Sequence, residues 1–204
     1  MTAWLFRPFD LIGGRLALAL GGLAIIATAV LASATGLVTD GVLDLHLWPA
    51  PVAPTTLLLM GLINWLSLSL ALLAVGHWLS PSKYQALDLL ATQALARWPL
   101  LLAVAYLSVP FVRRETERLT DAMLAAMPEQ SHEVIAAPAY LLDAMWLFAL
   151  STPVLLAIVW MVWLMYHSYA QVFKVRGWQA VLGFVAALIV AELGSKVIIV
   201  VALF

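Results

Sequence analysis

Glu192 and Lys196 stand four residues apart inside an apolar run that extends from residue 178 to 204. Ionisable groups within a membrane span are costly, so they face protein or a water-filled cavity and mark ion, proton or substrate paths. The glutamate precedes the lysine, which is the favourable order for a helical i, i+4 pair. Two chemistries fit that spacing. The pair is one step of a relay or substrate site, or it is a self-neutralising contact that fixes the orientation of its helix. A relay needs further ionisable steps, and Arg97 and His167 are the candidates. Asn64, in the middle of another apolar run, needs a hydrogen-bonding partner from a neighbouring helix. It reads as a clamp or, alternatively, as a ligand contact.

Other chemistry-bearing patterns are weaker. His132-Glu133, with Asp121 or Glu129, follows Pro128 and has no helical histidine pair to hold a metal. His167 lies between Tyr166 and Tyr169 at a span end, where an aromatic belt is ordinary. His46 and His77 stand alone. There is no cysteine, which excludes disulfides, iron–sulfur clusters and thiolate metal sites. No nucleophile elbow, HExxH zinc motif, glycine-rich phosphate loop or close intramembrane carboxylate pair occurs. No catalytic residue, metal or cofactor is expected, and the chain reads as a non-enzyme.

The elements that must position these residues are membrane spans. The 204 residues are 65% hydrophobic and 10% charged, against about a quarter charged in a soluble domain. The near-zero net charge of −1 argues against a nucleic-acid partner. The fold class is all-α: a polytopic bundle of about five transmembrane helices forming one domain. The spans fall at about 11–35, 54–79, 84–112, 146–166 and 178–204. The first apolar run, residues 16–34, is longer than a signal-peptide core and is expected to span rather than to be cleaved. Ser82 and Gln85 read as a capping box before the third span. Pro99 is expected to kink that span. Between spans three and four, Leu119, Met123, Ala126 and Met127 recur at helical spacing opposite Arg114, Glu117, Arg118 and Asp121. That pattern predicts an amphipathic helix over 114–127. The loop over 35–53 is poor in charge and rich in proline and reads as external. Trp4, Trp48, Trp78, Trp98, Trp146 and Trp178 read as interfacial belts, while Trp160 and Trp163 are expected to pack against another helix. Gly13-Gly14 and Gly21-Gly22 read as small packing positions on span one.

Arg7 and Arg15, Lys83 with Arg97 nearby, and Lys174 with Arg176 fall on one side of a five-span chain. The positive-inside rule then puts the N-terminus in the cytoplasm and the C-terminus outside. Arg113, Arg114 and Arg118 fall on the opposite side, accompanied by acidic residues.

A short basic N-terminus with Arg7-Pro8, five spans, Tyr84-Gln85-Ala86 leading into Arg97-Trp98-Pro99, and Trp160, Trp163 and Tyr169 before Gly177-Trp178-Gln179-Ala180 make a recognisable whole. This pattern resembles the Yip1 family of integral membrane proteins, in particular its bacterial members, mainly over residues 84–204. The aspartate–leucine–tyrosine–glycine–proline motif of the eukaryotic branch does not occur, so small GTPases of vesicle traffic are not implied as partners. The resemblance implies a five-helix protein of a bacterial inner membrane, with no enzymatic activity. It would act as a scaffold or accessory protein on the lipid bilayer, through other membrane proteins or as a homo-oligomer. The alternative is a small transporter or channel subunit with Glu192, Lys196 and Asn64 lining a path.

Overall fold

The computed structural model describes residues 5–48, 50, 52–80, 83–125 and 137–203. It is an all-α bundle in which five helical stretches are long and apolar enough to cross a membrane. We number the helices α1 (Gly14–Thr35), α2 (Pro54–Leu79), α3 (Ala86–Leu95), α4 (Trp98–Leu107), α5 (Pro110–Ala125), α6 (Ala137–Phe173) and α7 (Gly177–Leu203). Apolar side chains cover all faces of the spanning helices, because lipid replaces water outside the bundle. Large residues such as Leu156, Val159, Val190 and Val201 are exposed there.

Helices α3 and α4 form one interrupted span at the centre of the bundle. Pro99 supplies no N–H and its ring crowds the carbonyl four residues back, so the ladder breaks at Ala96-Arg97. The stretch ends at Leu107, and the amphipathic helix begins at Pro110, earlier than the sequence pattern placed it. The proposed capping box does not form as read. Gln85 itself is the N-cap of α3, without a side-chain bond, and Ser82 lies outside the described residues. Helix α6 runs well beyond 146–166 at both ends and carries Pro153 within it.

Buried polar groups tie the central span to its neighbours. The Trp65 indole donates to the Leu90 carbonyl at 3.0 Å. Gln93 Nε2 donates to the Met165 carbonyl at 2.8 Å. Thr92 Oγ1 donates to the Asp88 carbonyl and lies 2.6 Å from Ser168 Oγ. Tyr106 donates to the Leu150 carbonyl at 3.1 Å. Each bond satisfies a group that hydrocarbon cannot.

Several sequence expectations shift. Of the glycines on α1, Gly21 packs: a Cβ there would meet the backbone of Ala94 and Leu95, while Gly13, Gly14 and Gly22 face open space. Trp98 sits at the mid-span break rather than at a membrane end, edge-on to Trp160 at 4.3 Å. Trp163 is half exposed and stacks on His167 instead of on a neighbouring helix. In α5, Leu119 is fully buried as the apolar stripe requires. The side chains of Met123, Ala126 and Met127 lie outside the described residues. Arg113 pairs with Glu117 at 2.8 Å and Arg118 with Glu115 at 3.0 Å, so two basic residues at this end are neutralised locally. Trp4 and the group His132, Glu133 and Glu129 also lie outside the described residues.

The loop between α1 and α2 departs most from the sequence reading. Gly36, at φ 72°, caps α1 in the left-handed conformation and reverses the chain. Two short strands, β1 (Leu37–Val38) and β2 (His46–Leu47), then pair antiparallel, with Leu37 opposite Leu47 and Val38 opposite His46. Leu37, Val38 and Val42 are almost fully buried, and Val42 joins Leu68, Leu95 and Met161 in the main core cluster. The loop is a hairpin folded back into the bundle.

Candidate functional site

The four intramembrane polar residues picked from the sequence come together around this hairpin. Asn64 follows the start of α2 by ten residues, about 15 Å of helix. Arg97 precedes the end of α4 by ten residues, and Glu192 precedes the end of α7 by eleven, again about 15–16 Å. All three lie near the midplane of an apolar layer about 30 Å thick. Non-helical backbone at that depth is tolerated only where protein or a cavity surrounds it, and these residues supply the surround.

Asn64 Nδ2 donates to the Thr39 carbonyl at 2.9 Å. Its partner is thus hairpin backbone rather than a neighbouring helix. Glu192 Oε2 accepts the Leu43 backbone N–H at 2.9 Å. Lys196 Nζ lies 2.7 Å from Asp44 Oδ2 and 3.5 Å from Glu192 Oε1. The helical pair therefore exists, but the stronger contact of Lys196 is to the hairpin. Gly41 explains how the hairpin comes so close: a Cβ at this position would collide with the Glu192 carboxylate. His46 does not stand alone, because its Nδ1 lies 3.4 Å from Asp44 and 3.7 Å from Asp40. His77, the other isolated histidine, shares a 3.1 Å hydrogen bond with the Tyr84 hydroxyl. His167, proposed as a further relay step, stacks with Trp163 and takes no part in the centre.

The centre is graded from inside to outside. Asn64 and Arg97 are buried at 1% and 4% exposure. Glu192 is 24% exposed at its side chain, and Lys196 and Asp44 are near two-fifths. A cavity of about 30 Å³ lies under the hairpin, bounded by Thr28, Thr39, Gly41, Asp44, Asn64 and Arg97. That exceeds the roughly 10–15 Å³ one water needs. Arg97 Nε and Nη2 and Asn64 Oδ1 have no protein partner among the described residues, and bridging water of this kind would satisfy them. Among the described residues no ion pair joins Arg97 to Glu192, whose carboxylate acts on it only at longer range. Asp40, Asp44 and His46 bring ligand-type atoms within 4.8 Å of one another. None of the three is buried, and Lys196 already holds Asp44, so we read them as an ion-pair cluster.

The Lys196 hydrogen bond holds the Asp44 carboxyl below its ordinary value of 3.8. A carboxyl with a lowered folded-state value adds stability above the unfolded value and loses it as pH falls through the folded one. The difference in melting temperature between wild type and Asp44→Asn should therefore be constant from pH 7 to about 5. It should shrink only below pH 3.8, as the pH falls through the lowered folded-state value. A difference that was already lost between pH 5 and pH 4, or that was absent at pH 7, would mean that the ion pair does not hold the hairpin.

Sequence reasoning found Glu192, Lys196, Asn64 and Arg97, and missed Asp44, Gly41 and the hairpin that joins them. The available signal was a pair of aspartates, Asp40 and Asp44, in a loop otherwise poor in charge, facing two basic intramembrane residues. No family model matches this sequence, and no curated protein or solved structure matches it either. The likeness to the Yip1 family thus rests on the residues quoted for it.

Proposed function

We propose that this chain is a non-enzymatic small transporter or channel subunit whose path runs through the midplane centre and is closed by the re-entrant hairpin. The observation that carries this reading is the convergence of Arg97, Asn64 and Glu192, with Lys196 one turn further out, on non-helical backbone inside the bundle. An interrupted helix and an inserted loop beside ionisable side chains are the elements from which membrane proteins build solute and ion sites. Lys196–Asp44 and Glu192–Leu43 act as the latch of a plug. We place the protein in a bacterial inner membrane, with Arg7, Arg15, Lys83, Lys174 and Arg176 on the cytoplasmic side. The hairpin then faces the outside.

A second reading, the Yip1-like accessory protein, is favoured by one specific fact. The ion pairs of the centre are closed within the chain, as a structural lock would be. Conductance across planar bilayers in symmetrical potassium chloride separates the two. For a path, Asp44→Asn with Lys196→Met should raise the conductance of the reconstituted protein at least tenfold over wild type. If wild type and variant are equally silent, and the protein purifies from native membranes with one stoichiometric membrane partner, the accessory reading replaces the path.

A further inference from the structure

A second polar cavity, of about 680 Å³, opens at the other end of the bundle. Its walls come from the segment before α1, the start of α3 and the end of α6. Lys83 and Lys174 stand on its rim, and among the described residues neither is held in an ion pair. Behind the floor lie Thr92 and Ser168, buried and hydrogen-bonded to each other, with Ser168 also accepting from Gln93. Thr92 lies six residues into α3, and Ser168 lies five residues before the end of α6. The cavity therefore reaches only about 8–9 Å below the helix ends, which is headgroup depth and not the apolar midplane.

The lining carries one more positive than negative side chain. Two lysines face one carboxylate, Asp88, in the lining. Asp10, at the edge, accepts a hydrogen bond from Gln171 at 3.1 Å. Two helices also begin at the wall without a side-chain cap, α1 after Gly13 and α3 after Gln85. Their first-turn N–H groups carry partial positive charge. Gly13 and Gly14 present no side chain, and a Cβ at either would meet nothing within 4 Å, so a ligand can approach that backbone. Leu11, just outside, exposes half its surface where an acyl chain would run.

We propose that this cavity binds the headgroup of an anionic phospholipid. The phosphate would sit between Lys83, Lys174 and the start of α1. Basic recesses between helix ends at the positively charged side of a membrane protein bind such headgroups. The site is independent of the midplane centre, and its test does not depend on transport.

The experiment is native mass spectrometry of the protein released from nanodiscs of equal phosphatidylglycerol and phosphatidylcholine. One phosphatidylglycerol should be retained in preference to phosphatidylcholine. Lys83→Gln/Lys174→Gln should lower that preference roughly tenfold or more. Arg113→Gln/Arg114→Gln removes the same charge from the opposite end and should leave it unchanged. Equal retention of the two lipids, or equal loss in both double variants, would overturn the proposal. Added glycerol 3-phosphate should not raise the melting temperature in pure phosphatidylcholine discs. If it does so saturably, the ligand is a soluble phosphate and the lipid assignment is wrong. Because both lysines are exposed, the double variant should melt like wild type, and a lowered melting temperature would count against a peripheral lipid site.

Discussion

Glu192→Leu is expected to be the most damaging single change in the polar centre. It leaves the Leu43 N–H without its acceptor and removes the acidic group that acts on the fully buried Arg97. Leaving a buried N–H without its acceptor costs about 1–3 kcal/mol, and Lys196, 3.5 Å away, loses one of its two acids. The yield of folded protein after mild-detergent extraction should fall steeply. Combining Glu192→Leu with Arg97→Leu removes both charges, and the double variant should recover part of the loss. Monodisperse yield and melting temperature of the four proteins make the cycle. A double variant as impaired as the sum of its parts would show that Glu192 does not compensate Arg97.

The second large effect concerns adjacent glycines. Gly21→Leu places a side chain against the backbone of Ala94 and Leu95, where no rotamer change can make room. Helix α1 must then separate from the central span, and overpacking of this kind costs 1–3 kcal/mol or more. Gly22→Leu points into open space and should be neutral or slightly stabilising, since leucine is the better helix former. Unfolding of the two variants by a denaturing detergent, followed by tryptophan fluorescence, checks the contrast. Equal loss at both positions would contradict the packing of α1 on α3.

The contrast also shows what the sequence could reveal. Apolar run length makes the five spans legible, because hydrocarbon forces every backbone group into helical bonds. Pro99 announces the interruption beside Arg97, since the missing N–H is a local fact. Gly21 and Gly22 look identical in one dimension, and only the arrival of Ala94 and Leu95 distinguishes them. The hairpin was hidden for a related reason. Its strands are two residues long, and its burial comes from α1, α2, α4 and α7 rather than from its own alternation of side chains. Asp44 reads as an ordinary loop acid until Lys196, far along the chain, closes on it.

The central claim is that the hairpin sits inside the bundle at mid-membrane depth. The chain has no cysteine, so introduced pairs report without background. In native membranes, a short bis-maleimide should link Thr39→Cys to Asn64→Cys, whose parent residues share the 2.9 Å hydrogen bond. It should link Thr39→Cys only poorly to Thr55→Cys, at the mouth of α2. The reverse result, efficient linkage to position 55 and none to position 64, would place the loop outside the membrane and remove the plug.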